Sequence, residues 1–381
     1  MILKTKTFQE AANKILVAVG LDRAAANLEL AAKDTTLYLR VTNREYYAAV
    51  KFDLDEPTDF RAVVDANLFL NLISGINTDD FELTINETNV VVKAGKSSYK
   101  LAMIYENDQL MKLPIIKLDQ DQVTVSMSVT LDILSSILNV NSREVQKAKN
   151  KNVTVNELQR YYYIDETGCF TFTTGACINA FNLEKPIKLL LTDKVVKLFK
   201  LFNSDIWLSY GHTVNTDNSL QPIVTFQTED VYVATRLLSD ETCIQKVKAP
   251  CDAMKALAKE TYDHNLVLSA TDLSAAVSRL LMFYKNSSAK ADLSFVPATV
   301  DFNETELTIS DISGDNKEII IIENGSSTPG NYSMGVNLID LKAVLDSCKN
   351  EHITMNCGNH KSIIVNRGSI SNVIAETRTK E

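Results

Sequence analysis

The clearest pattern along the chain is an amphipathic helix followed by an alternating strand and a hairpin, and this pattern occurs three times. Each helix is opened by a residue whose side chain can cap a helix N-terminus, and apolar residues then recur at helical spacing. The segments are VVDANLFLNLISGI, LLTDKVVKLFKLFN and GVNLIDLKAVLDSC, with Asp65, Thr192 and Asn337 as the predicted helix starts. These starts lie roughly 130 to 145 residues apart, a spacing that is too long for a solenoid and typical of homologous domains.

Each unit also has a first half, in which another helix precedes strands of alternating polarity. These helices are predicted at residues 7–19, at 130–139 and from about residue 271 onward. In the third helix the apolar residues follow the helical spacing closely: Leu273, Ala276, Val277, Leu280, Leu281 and Tyr284. With the strands that follow, each unit is predicted to have two helices and about eight short strands. This combination favours an α+β fold with helices on one face of antiparallel sheet.

The repeats predict three domains, at residues 1–118, 119–247 and 248–381, which agrees with a length of 381 residues. A linker is placed at about 248–264, where Pro250 and the helix-like stretch CDAMKALAKETYD occur. The basic, polar tract NSREVQKAKNKN at 141–152 interrupts the second domain and is predicted to be a mobile loop.

Composition limits the function classes without choosing among them. A net charge of −9 argues against a uniformly basic nucleic-acid binder, but it permits a basic lining inside an acidic exterior. Six cysteines occur without a CxxC pair, which favours reduced, mostly buried thiols. The first residues run straight into polar positions, which predicts no signal peptide, and aliphatic runs such as 319–322 are too short to cross a bilayer. We therefore expect a cytoplasmic protein without a membrane partner.

Motifs of enzymes are missing from the chain. There is no GxGxxG after a strand, no GxxxxGK[ST], no HExxH and no GxSxG. The histidines lie in predicted loops or strand edges without metal-ligand spacing, and we expect surface or loop roles for them: His212, His264, His352 and His360. The sequence therefore predicts no catalytic residue, no metal and no cofactor.

Four local segments, in this order, resemble the bacterial-type β sliding clamp (the β subunit of DNA polymerase III), and the resemblance extends over essentially the whole chain. They are AGKSSYKL (94–101), TTGACINAF (173–181), TRLLSD (235–240) and TDLSAAVSRLL (271–281). Two segments depart from the family's pattern. ETCIQK (241–246) replaces a Pro-rich segment, and AETRTKE (375–381) replaces an apolar tail. Such divergence suggests a phage or mobile-element source.

The resemblance implies a processivity factor rather than an enzyme. Two copies would join head to tail into a ring, with helices lining a hole that holds double-stranded DNA of any sequence. DNA polymerase and a clamp loader would bind the ring through short linear peptides. The expected compartment is the cytoplasm of a bacterium or of an infected host.

Candidate DNA-binding residues lie on the predicted lining helices. Lys197 and Lys200 fall opposite the apolar face of the helix that starts at Thr192, Lys194 lies on its flank, and no acidic residue occurs from 194 to 204. An ordinary solvated face is the alternative interpretation. The resemblance adds further basic residues on, or just after, other helices: Lys14, Arg23, Arg279 and Lys342.

The resemblance also implies two protein interfaces. Tyr99, Met282 and Phe283 match the positions of the contact between copies, although the last two could instead reach core around the helix end. A groove for partner peptides would be built from five residues, for which ordinary packing beside a turn is the alternative: Thr173, Gly175, Ile178, Val373 and Ala375.

Two other function classes stay open. One is a viral processivity factor with two domains per chain, which the threefold repeat disfavours. The other is a β-rich enzyme or ligand-binding scaffold that does not encircle DNA, which the missing catalytic motifs disfavour. The mass of the protein in solution would discriminate among these classes.

Overall fold

The computed structural model describes most of the chain, in which two compact units are formed. The described residues are 1–21, 26–43, 45–118, 125–129, 161–165, 168–171, 175–179, 188–204, 206–214, 219–237, 241–287, 295–323, 326–327, 329–348, 350–358, 362–368 and 370–377. Unit 1 contains Met1–Leu131 and Lys194–Ser239, and unit 2 contains Asp132–Asp193 and Asp240–Glu381.

The helices and strands follow one another in a regular order along the chain. The first part has β1 (Ile2–Lys4), α1 (Thr5–Leu21), β2 (Asn27–Lys33), β3 (Thr36–Thr42), β4 (Tyr46–Asp53), β5 (Phe60–Asp65), α2 (Ala66–Ser74), β6 (Asp80–Ile85), β7 (Asn89–Ala94), β8 (Ser97–Ala102), β9 (Tyr105–Glu106), β10 (Gln109–Leu110), β11 (Val125–Val129), β12 (Tyr161–Asp165), β13 (Gly168–Thr171), β14 (Gly175–Asn179) and β15 (Lys188–Thr192). The second part has α3 (Asp193–Lys197), a 3-10 helix (Leu198–Leu201), β16 (Ile206–Val214), β17 (Leu220–Gln227), β18 (Val231–Arg236), α4 (Glu241–Lys259), β19 (His264–Ser269), α5 (Ala270–Ser287), β20 (Pro297–Phe302), β21 (Glu306–Asp311), β22 (Lys317–Ile321), β23 (Tyr332–Asn337), α6 (Leu338–Ser347), β24 (His352–Cys357), β25 (Ser362–Arg367) and β26 (Ile370–Ala375).

Unit 1 is built from antiparallel strands with α1 and α2 packed together. Its sheets have the orders β1-β6-β7-β8 and β11-β16-β17-β18-β4-β3-β2-β5, and β9 pairs only with β10. Phe8 of α1 is fully buried, and its ring makes edge contacts with Phe52, Phe69 and Phe81 at centroid distances of 5.2, 6.3 and 5.4 Å. The Gln9 amide donates to the carbonyls of Ile73 and Ile76, both at 2.9 Å, and so fixes the end of α2 against α1.

Unit 2 contains a second antiparallel arrangement of the same kind. Its sheets have the orders β15-β12-β13-β14-β26-β25-β24-β19 and β22-β21-β20-β23. The main core lies among α5, α6 and both sheets, and it includes the apolar residues predicted for α5 from Leu273 to Leu281. Because these residues recur at helical spacing, one face of α5 is buried along its length.

One strand order recurs three times in the described strands. A group of four has the order β1-β6-β7-β8, then β11-β16-β17-β18, then β19-β24-β25-β26. The other group has the order β4-β3-β2-β5, then β14-β13-β12-β15, then β22-β21-β20-β23. The predicted α+β class with antiparallel sheets is therefore confirmed, whereas the domain boundaries at 118 and 247 stay predictions.

The predicted helix starts at Asp65 and Asn337 are helix caps. Asp65 Oδ1 accepts from the backbone N–H of Leu68 at 2.8 Å, and Asn337 Oδ1 accepts from that of Ile339 at 3.2 Å. The helix predicted to start at Thr192 consists of five residues of α-helix that pass directly into a 3-10 turn. The helix predicted at 130–139 and the loop at 141–152 lie outside the described residues.

Much of the linker predicted at about 248–264 lies in a helix, as the helix-like stretch CDAMKALAKETYD indicated. Helix α4 runs from Glu241 to Lys259, through ETCIQK and through Pro250. Pro250 removes one helical hydrogen bond, since it has no N–H to donate. Burial of Val247, Cys251 and Met254 on one face of α4 offsets this loss.

His264 lies at the start of β19 and is buried against Phe302 and Tyr332, with ring centroids at 5.1 and 4.7 Å, so the surface or loop role expected for it was wrong. Burial raises the pKa of the Cys251 and Cys357 thiols to about 12.

In the part of the chain that the structure describes, no cluster of three potential metal-ligating side chains occurs, and no helix is long and apolar enough to span a bilayer.

We predict that the two caps differ in their contribution to stability. Asn337 Oδ1 also accepts from the buried N–H of Val296 at 3.0 Å, so Asn337→Ala removes more than a cap and should cost about 2 kcal/mol. Asp65→Ala, at an exposed cap, should cost about 1 kcal/mol. Urea unfolding by circular dichroism measures both losses, and Trp207, the single tryptophan, reports on unit 1. Equal losses of stability for the two variants would show that the hydrogen bond from the Val296 N–H to Asn337 Oδ1 makes no net contribution to stability.

Candidate DNA and partner interfaces

The turn that follows β15 has one buried face and one basic face. Val195, Val196, Leu198 and Phe199 are buried, and the Phe199 ring packs edge-on against Phe226 with centroids 4.8 Å apart. On the same turn Lys200 is exposed and Lys197 is half-buried. Basic side chains therefore project from a segment that is anchored by apolar contacts.

Two further lysines predicted to meet DNA lie beside carboxylates of unit 1. Lys194 Nζ is 3.5 Å from Glu45, and Lys14 of α1 forms an ion pair with Asp230 of the β17–β18 turn. Burial raises the pKa of Asp230, but hydrogen bonds from Lys14 and Thr228 outweigh burial, so the net pKa is lowered. Asp230 therefore stays ionised near neutral pH, and the charge of Lys14 is locally neutralised.

The basic candidates of unit 2 are paired as well. The Arg279 guanidinium makes a two-pronged contact with Glu318 of β22, with Nε to Oε1 at 2.8 Å and Nη2 to Oε2 at 2.6 Å. This contact lowers the pKa of Glu318. Lys342 of α6 pairs with Asp346 and donates to Ser274 Oγ of α5 at 3.2 Å. Both cations therefore hold elements of unit 2 together.

Lys200 differs from these four cations. It is exposed, and within the described ranges it has no carboxylate at ion-pair distance. Arg23 lies outside the described residues. Sequence reasoning missed most of the acidic partners, because Asp230 is 216 positions from Lys14 and Glu318 is 39 from Arg279. Only Asp346, four residues after Lys342, gave a signal in the sequence.

Exposed apolar side chains cluster at the C-terminal half of α5 and on the neighbouring strand. Met282 and Phe283 are 55% and 57% exposed, so they do not belong to the core of unit 2. Ile319 and Ile321 of β22, an edge strand, are also exposed. A cleft of about 340 Å³ beside them is lined by Leu280, Phe283, Tyr284 and Ile312, among others. An apolar surface at an unpaired strand edge is suited to contact with another protein.

In unit 1, Tyr99 lies on a comparable edge. It belongs to β8, the outer strand of the sheet β1-β6-β7-β8, and its side chain is exposed. Its neighbours Ser98 and Lys100 are also exposed. All three residues predicted to contact a second copy are thus exposed at the surface. The contact itself stays a prediction.

The predicted peptide groove is only partly described. Thr173 lies outside the described residues, and the backbone positions of Gly175 and Ile178 pair with Ile374 and Ser371 across the β14–β26 ladder. Val373 is 8% exposed, because α4 packs over it, while Ala375 at the end of β26 is exposed. Val373 is therefore covered rather than forming an open floor. The spacing of residues 247, 251, 254 and 258 was a sequence signal for this helix.

The segment after β26 is fixed against β23 by a close backbone approach. The Thr377 N–H donates to the Gly335 carbonyl at 3.0 Å. A Cβ atom at position 335 would lie 2.0 Å from the Thr377 carbonyl oxygen, so only glycine fits there. Residues 375–377, the described part of the altered C-terminal segment, are thus held against β23 by a backbone contact.

The thrice-repeated strand order defines a class of α+β protein made of internal repeats, and solved structures give the particular fold. The β subunit of DNA polymerase III from Thermotoga maritima matches 100% of this chain over 99% of its own, with 14% identity and a TM-score of 0.69. The subunit from Borrelia burgdorferi matches with 12% identity and a TM-score of 0.71, again over 100% and 99% of the two chains. The β clamp of Helicobacter pylori, solved with a DNA ligase peptide, matches 99% of both chains with 15% identity and a TM-score of 0.70.

These similarities establish that the chain has the fold of the β subunit of DNA polymerase III over its full length. No family model and no curated protein matches the sequence.

Proposed function

We propose that this protein is a DNA sliding clamp, a non-enzymatic processivity factor that encircles duplex DNA and tethers the replicative polymerase to it. The observation that carries the proposal is the full-length similarity to β subunits, with 99–100% of both chains matched. A partial match would leave room for a scaffold with one shared domain. Because the match covers both chains almost completely, it supports a protein with all the domains of a β subunit.

The proposal includes three domains, at residues 1–118, 119–247 and 248–381. It is supported by the recurring strand order, since β1–β8, β11–β18 and β19–β26 each contain both of the recurring groups of four strands. Helix α4 begins before residue 247 and continues into the third of these segments. The connection between the second and third domains is thus a helix in this protein.

Two copies would close the ring head to tail. Tyr99 with the β8 edge would lie on one side of each contact, and Met282 and Phe283 would lie on the other. Two strand edges with exposed apolar side chains support this arrangement, because joining them would satisfy unpaired backbone groups and bury apolar area together.

Duplex DNA would be held without choice of sequence, by lysines that approach phosphates. Lys197 and Lys200 are the leading candidates, because they project from the apolar anchor of their turn. Lys14, Lys194, Arg279 and Lys342 would contribute less, since carboxylates already lie beside them. DNA polymerase and a clamp loader would bind through short peptides near β14 and β26.

The first functional prediction is topological retention. Protein loaded on nicked circular DNA by the matching clamp loader should persist at a salt concentration that breaks phosphate contacts, and it should be lost after the circle is linearised. The measurement is the fraction of protein that elutes with DNA in gel filtration. Blocking both linear ends with bulky biotin–streptavidin complexes is the control and should restore retention. Equal retention on circles and on open linear DNA would refute encirclement.

The second prediction concerns the contact between copies. Met282→Asp combined with Phe283→Asp should convert a dimer of about twice 42.4 kDa into a folded monomer, because charges in an apolar interface disfavour association strongly. Light scattering measures the mass. Leu68→Asp is the matched control, since Leu68 is equally exposed on α2 but lies outside the predicted contact. An unchanged mass for the double variant would exclude these side chains from the interface.

The third prediction compares the two lysines of the turn after β15 with Lys14, which lies beside Asp230. Lys197→Ala with Lys200→Ala should shift the free energy of unfolding by less than about 0.5 kcal/mol. It should also reduce the slope of log K for DNA against log salt by up to about 2, or roughly 0.9 for each lost phosphate contact. Lys14→Ala is the control and should change the slope little, because Asp230 already neutralises that ammonium. Equal slopes for the double variant and the unmodified protein would show that this turn does not face DNA.

A further inference from the structure

Helix α5 and strand β22 together form one surface of unit 2 from which apolar side chains project. Met282 and Phe283 of α5 are exposed, and so are Ile319 and Ile321 of β22. We call these residues the α5–β22 surface. Among the strands that the structure describes, β22 pairs only with β21, so the surface includes a strand edge. Exposed apolar area beside an unpaired edge favours contact with another protein.

The two parts of this surface belong to different elements, and two kinds of contact join them. Ile320 and Ile322 of β22 pack into the main core of unit 2, which also contains the buried face of α5. On the same side of β22, Glu318 receives both prongs of the Arg279 guanidinium, at 2.8 and 2.6 Å. The ion pair thus ties the edge strand to the helix at the border of the apolar contacts.

Arg279 lies next to the exposed apolar residues of its own helix. It precedes Met282 and Phe283 by three and four positions, and residues with these spacings are neighbours on one face of a helix. The hydrogen bonds from Arg279 lower the pKa of Glu318, so the pair stays charged near neutral pH. A partly exposed ion pair adds little to the stability of a domain, but a two-pronged contact fixes the orientation of its groups. Its main effect is therefore expected on the position of β22.

We propose that the Arg279–Glu318 pair is a brace for the contact between copies, in which Arg279 is a positioning residue rather than a ligand of DNA phosphates. The brace holds β22 against α5, so both parts of the α5–β22 surface meet a second copy together and leave it together. The inference rests on the proposed function, because it concerns the contact that would close the ring. Without the brace, β22 would be free to leave the second copy first, and dissociation would be faster.

The chemistry of arginine separates the two roles of residue 279. The point charge of a lysine also binds a phosphate, whereas only a guanidinium holds both oxygens of a carboxylate in a fork. Arg279→Lys therefore keeps the charge and removes the brace. Glu318→Gln removes the brace from the other side and leaves the guanidinium available to a phosphate. Arg279→Glu combined with Glu318→Arg restores a two-pronged pair of reversed polarity.

The first measurement is the rate of subunit exchange between unlabelled and isotope-labelled full-length protein, followed by native mass spectrometry. Arg279→Lys and Glu318→Gln should each increase this rate about three- to tenfold, because a charged contact between two elements is lost. The combined variant should return to within about twofold of the unmodified rate, as expected when two residues act through each other. Lys248→Ala is the matched control and should leave the rate unchanged, because its exposed pair with Asp252, at 2.8 Å, lies on α4.

The second measurement is the slope of log K for duplex DNA against log salt, at a protein concentration where each variant is dimeric. The brace predicts the same slope for the unmodified protein, both single variants and the combined variant. If Arg279 contacted a phosphate, the combined variant would lose about 0.9 from the slope. Glu318→Gln would then strengthen binding to DNA, because it frees the guanidinium.

Three results would overturn the brace. The single variants could both exchange subunits at the unmodified rate, the combined variant could fail to restore a slower exchange, or its salt slope could be reduced. The mass of the unmodified protein separates these results from failure of the proposed function. A monomer at every concentration would refute the contact between copies and the brace with it, whereas a dimer with unchanged exchange in the variants would refute the brace alone.

Discussion

The rest of the structure depends on the pairing of strands that are far apart in the sequence. In unit 1 the ladder between β18 and β4 joins Val231–Thr235 to Tyr46–Val50, and in unit 2 the ladder between β14 and β26 joins Gly175–Asn179 to Ile370–Ile374. Each ladder extends two groups of four strands into one sheet of eight and removes two unpaired edges. Each of these two sheets therefore contains strands from two of the recurring groups.

Most of the basic side chains predicted to bind DNA lie beside carboxylates of the same unit. A chain with a net charge of −9 has enough carboxylates to neutralise most of its basic side chains locally, and Lys14, Arg279 and Lys342 are neutralised in this way. The pairs of Lys14 and Arg279 connect separate elements, and Lys342, whose pair lies within α6, donates to Ser274 of α5, which gives these cations a structural role. A phosphate would have to compete with a carboxylate that is already in place. Among the described residues no carboxylate lies at ion-pair distance from Lys200, so its charge is not offset in this way.

Much of the fold was predictable because its signals are local. Asp65 and Asn337 cap helices through bonds that span two or three residues, and the stripe from Leu273 to Leu281 defines the buried face of α5 directly. The failures have a different origin. Pro250 normally ends a helix, but contacts with distant strands retain α4, and the partners of Lys14 and His264 come from remote segments. The partners of Lys14 and His264 leave no periodic signal in one sequence, whereas α4 does leave one in its apolar spacing.

The strand β25 shows why the candidate peptide site was harder to predict than the fold. Its residues Ile363, Ile364 and Val365 are all buried, and such an unbroken apolar run indicates a strand with both faces covered. The run does not say what covers each face. In the structure, one face of β25 packs into the main core and the other packs against α4. A single strand therefore contributes to both apolar layers. Because side chains alternate along the strand, adjacent residues of β25 pack into two different apolar layers, and neither layer can be assigned from the run of apolar residues alone.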